Sequence, residues 1–362
     1  MKIRENIPIS TLTTMRLGGP ARYVIDVEKP EEIPEAYNFA KSKSLPTFIL
    51  GGGANTIGHD EGFDGVIIKS NLKGIIEAGG AQYSFEGPKT RASAPERPEK
   101  EYERQAPRQI TAFSGEEWDA VVAYACERGL TGIEALSKIP GLAGAAPVQN
   151  IGAYGQDISQ TLVSIEVYDT LENKFKTLDK NDLQFSYRKS ILNTTAKNRY
   201  FVISITLELK PGTMSHPFYN SIEKYIIANN CTDFSPAGVR DIVSKIRADK
   251  LPDPKEKASA GSFFKNVYLT EKEATEAEKK DYPVYRGHDG LKINSGWLIE
   301  QAGFSDQLIH GIRVNKKAAL VLINESAKSY ADLAAARQEI IDKIQKDFGY
   351  KLEQEPVEIW RF

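Results

Sequence analysis

The stretch IPGLAGAAPVQNIGAYG, residues 139–155, restricts the fold more than any other part of the sequence. Its glycines and alanines follow neither a helical nor a strand period, and small residues let a flat cofactor or its diphosphate lie against the main chain. Gln149 and Asn150 can hydrogen-bond the edge of a heterocycle or a ribose. The alternative interpretation is a tight, buried connecting loop.

A second glycine-rich loop, GGGANT at residues 51–56, follows a short apolar strand predicted at 47–50. It does not fit the dinucleotide fingerprint, because Thr56 stands where a third glycine is needed. It does not fit the Walker motif either, since no Gly-Lys-Ser/Thr follows. A three-glycine loop by itself is more often a turn than a ligand site, but two such loops in one chain favour a large nucleotide cofactor.

Outward from these loops, the sequence predicts a βαβ unit, then a second α+β unit, then a more helical region. Residues 79–108 are rich in proline, glycine and charge, which predicts a mobile surface insertion or, alternatively, a partner-binding loop. The predicted strands are 22–27, 47–50, 65–68, 162–168, 201–209, 318–323 and a strand-like 351–360, and ordered structure is expected to resume at 109–113. The predicted helices are 33–40, 115–127, 235–250 with Ser235 as its cap, 294–302 and 329–348.

Composition excludes several classes of protein. The chain has 362 residues, which favours two or three domains, and a net charge of −2, which argues against a general nucleic-acid or membrane-surface binder. Cys126 and Cys231 are too few for a disulfide framework or a zinc site, and the four histidines lack metal-ligand spacing, so we expect no metal. No signal peptide and no apolar run of about 18 residues is present, which predicts a cytoplasmic protein without membrane insertion.

Two further segments offer polar side chains for chemistry. In FSYRKS, Arg188 follows Tyr187, and its planar fork can clamp a carboxylate or phosphate, although a surface ion pair is the simpler reading. In KLPDPKEKASAGSFFKN, Ser262 stands between a flexible Gly261 and two phenylalanines. That order predicts a hydroxyl in a water-poor position, suited to donating a proton, or else a serine at a strand edge. No GxSxG elbow surrounds it, so a hydrolase nucleophile is not expected.

The chain ends in LEQEPVEIW, residues 352–360. Strand-like alternation would place Glu353 and Glu355 on one face. Carboxylates near a terminus are usually solvated, so this segment has little weight by itself.

Taken together and in this order, these segments resemble the flavin-dependent UDP-N-acetylenolpyruvoylglucosamine reductases. The matching stretches are TTMRLGGPA, FILGGGANT, IPGLAGAAPVQNIGAYG, FSYRKSI, KLPDPK, AGSFFKN, GWLIEQAGF, ALVLIN and LEQEP. The resemblance implies an α+β fold with a two-part FAD-binding domain of the PCMH or vanillyl-alcohol-oxidase type and a C-terminal α+β substrate-binding domain. It implies FAD-binding subdomains at 1–75 and 76–213, a UDP-sugar domain at 214–350 and a C-terminal strand at 351–362 that returns to the active site.

The resemblance also assigns roles to residues. It implies that Arg188, Ser262 and Glu355 are catalytic, with Glu358 as the alternative glutamate. The substrate-binding residues it implies are Tyr187, Tyr219 with Tyr225 as its rival, Lys250, Asn266 and Gln301. The FAD-binding residues it implies are Gly51, Gly52, Gly53, Ala54, Asn55, Thr56, Ile139, Pro140, Gly141, Gly144, Ala145, Gln149, Asn150, Gly152 and Ala153.

The implied reaction belongs to peptidoglycan synthesis. NADPH reduces non-covalently bound FAD, and hydride then passes from flavin N5 to the enolpyruvyl double bond of the UDP-sugar. Arg188 would stabilise the developing charge with Glu355, and Ser262 would supply the proton. The segment SHPFYNSIEKYI indicates the subgroup with an extra tyrosine loop, and we expect a monomer.

Two alternatives stay open at this point. One is another FAD-dependent oxidoreductase of the same fold, with flavin tethered to a histidine such as His59, just after GGGANT. The other is a UDP-sugar-binding module that has lost its chemistry.

Overall fold

The structure is a computed structural model that describes residues 1–77, 83–84, 87–88, 106–287 and 290–360. Most of the insertion predicted at 79–108 lies outside the described residues. The chain divides into two compact units. Unit 1 comprises Met1–Ile3, Ile25–Gly51 and Ile68–Arg247, and unit 2 comprises Arg4–Val24, Gly52–Ile67 and Ala248–Phe362. The domain boundaries expected at 75, 213 and 350 remain predictions.

The elements have the following bounds. The α-helices are α1 (Glu32–Ser42), α2 (Trp118–Glu127), α3 (Asn220–Asn229), α4 (Pro236–Lys250), α5 (Glu271–Glu278), α6 (Ser295–Gln301) and α7 (Tyr330–Phe348). The strands are β1 (Lys2–Pro8), β2 (Pro20–Val27), β3 (Thr47–Leu50), β4 (Thr56–Gly58), β5 (Phe63–Ser70), β6 (Ile75–Glu77), β7 (Tyr83–Ser84), β8 (Gly87–Pro88), β9 (Arg108–Phe113), β10 (Leu130–Thr131), β11 (Gly152–Ala153), β12 (Gln156–Asp157), β13 (Leu162–Asp169), β14 (Lys174–Asp179), β15 (Tyr200–Pro211), β16 (Ser259–Ser262), β17 (Val267–Leu269), β18 (Val284–Gly287), β19 (Gly290–Ile293), β20 (Leu308–Ile309), β21 (Ile312–Val314), β22 (Val321–Asn324) and β23 (Val357–Ile359). Short 3-10 turns occupy Ile9–Thr11, Glu134–Leu136, Ala143–Ala145, Ile158–Gln160, Lys180–Leu183 and Ile191–Asn193.

The first sheet has the strand order β1–β2–β5–β3. The predicted strands and helix of the βαβ unit are present as β2, α1 and β3, but β5 lies between β2 and β3 in the sheet. The helix begins two residues after Pro30 and buries Ile33, Ala36 and Ala40 on one face, as its apolar spacing predicts.

Unit 1 is built on an antiparallel sheet with the order β14–β13–β15–β9–β6. Helix α2 buries Trp118, Val121, Val122 and Ala125 in the core of this unit, which confirms the predicted stripe. The Trp118 indole N–H donates to the Leu136 carbonyl at 3.1 Å. Two alanines of the glycine-rich segment 139–155 reach into the same core, so that this segment is held against a rigid sheet-and-helix layer.

Helix α4 begins as predicted, with Pro236 as its first residue. The Ser235 hydroxyl accepts the Gly238 N–H at 3.1 Å, because a helix start leaves amide groups without intrahelical partners. Helices α3 and α4 share a small apolar cluster that includes Phe218, Ile222 and Val239.

Unit 2 contains an antiparallel sheet with the order β16–β22–β21–β20, and a three-stranded sheet with the order β17–β19–β18. The core residues of this unit include Phe263, Phe264, Leu298, Leu322 and Ile340. The predicted strand at 318–323 lies at Val321–Asn324. The helices predicted at 294–302 and 329–348 are α6 and α7, with Asn294 and Ser329 as their N-caps.

The prediction of a continuous C-terminal strand over 351–360 is wrong. Only Val357–Ile359 forms a strand, and before it Gln354 makes a single bridge to Phe264. Pro356 explains the interruption, because proline has no N–H to give to a ladder. Strand β23 pairs in parallel with β4, and Val357 lies opposite Thr56.

Candidate active site

Three of the predicted motifs meet within unit 2. The Glu355 N–H donates to the carbonyl of Phe263, the residue after Ser262, at 2.9 Å. The Asn55 side-chain amide lies 3.5 Å from the Glu355 carbonyl, and the Val357 N–H donates to the Asn55 carbonyl at 2.9 Å. Segments from the early and the last part of the sequence are therefore hydrogen-bonded to one another around Glu355.

Ser262 is exposed, so the prediction that its hydroxyl occupies a water-poor position is wrong for this structure. The two phenylalanines after it are buried, with Phe263 0 % and Phe264 1 % exposed. The pairing of β16 with β22 shifts register between Ser259 and Ser262, and Gly261 there has φ +71°. This bulge keeps the aromatic rings in the core while the serine remains exposed to solvent.

The glutamates of the C-terminal segment lie in different surroundings. Glu353 is exposed and lies 3.4 Å from the Lys265 ammonium, whereas Glu355 is half-buried. The expected common face of Glu353 and Glu355 on a regular strand is not formed, because the strand starts only at Val357.

Glu358, the alternative glutamate, is already engaged. Its carboxylate is bound by four side chains of unit 2, namely His59, Tyr330, Arg337 and Gln354. Burial favours the neutral acid, but these hydrogen bonds outweigh it and hold the pKa of Glu358 below its ordinary value. The Glu358 carboxylate is thus part of the packing of unit 2.

His59 is part of the same arrangement. Its Nε2 lies 2.9 Å from a Glu358 carboxylate oxygen, and its ring stacks on Tyr330 with the centroids 3.6 Å apart. The structure gives no support to a covalent flavin tether at this histidine.

In unit 1, Arg188 lies in a tight turn and is fastened to the glycine-rich segment. Ser186 and Lys189 exchange two backbone hydrogen bonds of 3.1 Å, and Arg188 between them has φ +55°. The Arg188 guanidinium donates to the Gly152 carbonyl at 3.0 Å and to the Asn150 carbonyl at 3.4 Å. Its charge is therefore held in one place, as an electrostatic stabiliser requires.

Close backbone contacts hold the glycine-rich segment 139–155 in place. The Gly144 N–H donates to the Ser114 carbonyl at 3.1 Å, and a Cβ at Gly144 would lie 2.4 Å from the Ser114 Cβ. A Cβ at Gly51 would lie 3.0 Å from the Ala145 Cβ, so the first glycine of the loop 51–56 lies against this segment. Gly144 therefore lies where a side chain would clash, and a side chain at Gly51 would require Ala145 to move slightly.

Open space lies beside Gly141 of this segment. Gly141 has φ +127°, and nothing lies within 4 Å of a Cβ built there. Asn150 points elsewhere: its amide accepts from the Ser159 N–H at 3.1 Å and donates to the Ser186 carbonyl at 3.3 Å. Its expected contact with a cofactor stays a prediction, and its role in the fold is to join the segment to the Arg188 turn.

The other expected substrate residues are spread over several elements. Tyr219 directly precedes α3, is 52 % exposed, and meets the Tyr154 ring edge-on at 5.8 Å. Its rival, Tyr225, packs partly buried against the apolar cluster of α3 and α4. The remaining members lie at element ends or turns: Lys250 and Gln301 are exposed, Asn266 accepts from the Ser295 N–H at 3.2 Å, and Tyr187 lies 5.2 Å from the Arg188 guanidinium.

Sequence reasoning did not select Tyr154 or Arg247. The Arg247 Nε is buried with no hydrogen-bond partner among the described residues, and burial lowers the pKa of Arg247 although a hydrogen bond with Tyr154 opposes this. The Arg247 side chain therefore lies beside Tyr154 with its Nε shielded from water. Two features of the sequence could have drawn attention to them: Tyr154 belongs to the segment 139–155, and Arg247 stands three residues before Lys250.

Comparisons with known proteins agree on one family. Residues 253–359 match the profile of the UDP-N-acetylenolpyruvoylglucosamine reductase C-terminal domain. The chain is 33 % identical over 355 residues to the UDP-N-acetylenolpyruvoylglucosamine reductase of Ralstonia nicotianae, covering 97 % of this chain and 98 % of that protein. It is 33 % identical over 371 residues to the reductase of the same name from Thermobifida fusca, covering 98 % and 97 %.

A solved structure gives the same fold. The crystal structure of the reductase from Thermus caldophilus superposes with a TM-score of 0.63 at 20 % identity, covering 99 % of each chain. Among the described residues, no helix is long and apolar enough to cross a membrane, and no group of three or more His, Cys, Asp or Glu is arranged to hold a metal ion.

Proposed function

This chain belongs to the UDP-N-acetylenolpyruvoylglucosamine reductase family, and from that premise we propose that Arg188, Ser262 and Glu355 are its catalytic residues. The protein is an FAD-dependent oxidoreductase with NADPH as the reductant. It converts UDP-N-acetylenolpyruvoylglucosamine to UDP-N-acetylmuramate in peptidoglycan synthesis.

One observation carries the assignment of residues. The backbone hydrogen bond from Glu355 to Phe263 brings the C-terminal glutamate beside the segment of Ser262. The segments that contain Ser262, which is exposed, and Glu355, which is half-buried, are thus adjacent in unit 2.

The residues fit an FAD cofactor. The segment 139–155 and the loop 51–56 would hold it, because glycines allow close approach and Gly141 faces open space. When bound, FAD supplies the hydride that reduces the enolpyruvyl double bond. All other steps fall to the side chains of this protein.

Each proposed catalytic residue has a separate task. Arg188, held by two carbonyl groups, stabilises the negative charge that develops on the substrate carboxylate during reduction. Ser262 donates the proton that completes the reduction, and Glu355 hydrogen-bonds the same carboxylate region of the substrate. For the UDP moiety, Lys250 supplies a positive charge and Tyr219 an exposed ring, with Tyr187, Asn266 and Gln301 as further contacts.

An anaerobic experiment tests the proposal. The FAD-loaded protein is reduced with NADPH, UDP-N-acetylenolpyruvoylglucosamine is added, and the flavin absorbance is followed. Rapid return of the oxidised spectrum, slowed in the Arg188→Ala, Ser262→Ala and Glu355→Gln variants, supports the assignment. A flavin that is reduced but ignores the enolpyruvyl sugar would place the activity with another oxidoreductase. A protein that binds the sugar but retains no FAD would be a binding module.

We also propose that the protein is a monomer in the cytoplasm, where NADPH and UDP-sugars are available. Light scattering of the purified protein measures its mass against the 40.2 kDa of one chain. A mass of twice that value would overturn the monomer.

A further inference from the structure

Glu358 is the centre of a hydrogen-bonded group in unit 2, which we call the Glu358 cluster. Its Oε1 accepts from the Tyr330 hydroxyl at 2.9 Å, from Arg337 Nη1 at 2.7 Å and from Gln354 Nε2 at 3.1 Å. Its Oε2 lies 2.9 Å from His59 Nε2. The Glu358 and Arg337 side chains are each 22 % exposed, so these charge-assisted bonds are largely shielded from water.

The cluster joins three elements. His59 directly follows β4, and its N–H donates to the Ile359 carbonyl of β23 at 3.2 Å. Tyr330 and Arg337 belong to α7. The Asp60 carboxylate accepts the Tyr330 N–H at 2.6 Å, which adds a second connection between the end of β4 and the start of α7. The strand that carries Glu358 is therefore fixed on both sides.

The same cluster holds the residues on either side of Glu355. Arg337 Nη1 donates to Gln354 Oε1 at 2.7 Å, and Gln354 Nε2 donates to the Pro356 carbonyl at 2.8 Å. The side chain of Gln354 thus reaches across Glu355 in the chain. With the Glu355 N–H bound to the Phe263 carbonyl, the backbone at Glu355 is restrained before, at and after that residue.

We propose that Glu358 is a positioning residue: through the Glu358 cluster it fixes the backbone of Glu355, and so the place of the Glu355 carboxyl in the reaction. The inference rests on the function proposed above for Glu355. A catalytic group misplaced by about 1 Å can lose about 100-fold in rate, so a restraint on this irregular segment affects the chemistry directly.

The Glu358→Gln variant tests the proposal, because glutamine keeps the size of the side chain and removes the charge that Arg337 binds. We expect reoxidation of the reduced flavin by UDP-N-acetylenolpyruvoylglucosamine to slow about tenfold, with flavin reduction by NADPH unchanged. Hydrogen exchange of the backbone in residues 352–360 of the FAD-loaded protein should become faster. Exchange is a readout that does not depend on activity.

A matched control lies on the same helix. Glu339 of α7 pairs with His310, with 3.2 Å between Glu339 Oε2 and His310 Nε2, and both side chains are about half exposed. Glu339→Gln removes a glutamate–histidine pair without touching the Glu358 cluster, and it should leave both rates and the exchange of residues 352–360 unchanged. If Glu358→Gln does not fold, His59→Gln removes one of the four contacts and is measured in the same way.

A double variant distinguishes positioning from an independent role. If Glu358 acts through Glu355, the Glu355→Gln/Glu358→Gln protein is no slower in reoxidation than Glu355→Gln alone. Additive losses, or unchanged reoxidation and exchange in Glu358→Gln, overturn the positioning role. Unchanged reoxidation in Glu355→Gln instead overturns the catalytic role proposed for Glu355, and the positioning role with it.

Discussion

At the scale of single residues, two serines of β16 allow a proposed catalytic role to be compared with a purely structural one. Ser262→Ala is expected to slow reoxidation of the reduced flavin by the enolpyruvyl sugar about 100- to 10,000-fold, the range that a positioned proton donor contributes. Flavin reduction by NADPH should not change, since no proton from Ser262 is needed there. Stopped-flow absorbance measures the two half-reactions separately.

Ser259→Ala is the control in the same strand. Ser259 is 1 % exposed, and its hydroxyl has no hydrogen-bond partner in the described part of the chain. Removing a buried, unsatisfied hydroxyl should leave both rates unchanged and keep or raise the melting temperature. Near-normal reoxidation in Ser262→Ala would remove the proton-donor role from this serine.

Arg188→Lys keeps the positive charge and removes the planar fork that reaches the Asn150 and Gly152 carbonyls. We expect kcat to fall about 100-fold, as for loss of one preorganised electrostatic stabiliser, with little change in melting temperature. Steady-state kinetics and thermal unfolding measure the two effects.

Arg199→Lys should show the opposite signature. Arg199 holds the buried Asp169 through two hydrogen bonds, of 3.0 and 2.7 Å, so lysine there weakens the fold rather than the chemistry. A catalytic role for Arg188 would be contradicted if kcat fell in Arg188→Lys only in proportion to a loss of melting temperature, in the same proportion as in Arg199→Lys.

At the scale of elements, the loop 51–56 depends on a glycine that cannot be replaced. Gly53 has φ +69°, and a Cβ there would lie 2.1 Å from the Leu12 carbonyl oxygen. We expect Gly53→Ala to lose more than about 2 kcal/mol of stability, because strain and a backbone clash add, and to retain FAD poorly. Chemical denaturation and flavin fluorescence measure these effects.

Gly129→Ala isolates the strain from the clash. Gly129 has φ +68°, yet nothing lies within 4 Å of a Cβ built there. Its alanine variant should lose about 1 kcal/mol and retain FAD normally. Equal losses in the two variants would show that the contact with Leu12 does not matter.

Local signals explain which elements could be predicted. Helix α4 follows from Ser235 and Pro236, and α7 follows from its Ser329 cap, because caps and apolar spacing are written in neighbouring residues. The same reasoning failed at the C-terminus. There, the parallel pairing of β23 with β4 depends on residues 301 apart by number (357 minus 56), and no local pattern encodes it.

The candidate site likewise has features that the sequence predicts and features that it does not. Glycine-rich loops and the order of motifs are visible in the sequence, and the fold they imply is confirmed by the match to the solved reductase. The exposure of Ser262 was not predictable, because it depends on a register shift against β22. The pairing of Arg247 with Tyr154 is a tertiary contact that the sequence around neither residue predicts.

At the scale of the whole molecule, stability should depend on Asp119. Its carboxylate in α2 accepts from the Arg240 guanidinium at 2.6 and 2.9 Å, and from the Lys138 N–H and ammonium at 2.7 and 2.8 Å. Burial would raise the pKa of Asp119, but these hydrogen bonds outweigh it and hold the pKa well below its usual range. Through these hydrogen bonds Asp119 links α2 to α4 and to Lys138, the residue directly before the segment 139–155.

The sign of the pH dependence follows from this lowered pKa. The unfolded chain, with an ordinary aspartate pKa of about 3.9, takes up the proton first as the pH falls. The stabilisation by Asp119 is therefore complete near pH 7, and it is lost as the pH drops below about 4. Asp119→Asn should lose about 1–3 kcal/mol at pH 7, and the difference from the wild type should shrink progressively below pH ~4.

Thermal unfolding of both proteins from pH 7 down to pH ~2.5 measures that difference across the titration. Asp64→Asn is the control, because Asp64 pairs with Arg22 at 3.0 Å with both side chains about half exposed. Such surface pairs contribute about 0–1 kcal/mol, so its curve should follow the wild type throughout. An Asp119→Asn deficit that stays constant down to the lowest pH would mean that packing, and not the charge of Asp119, holds α2 and α4 together.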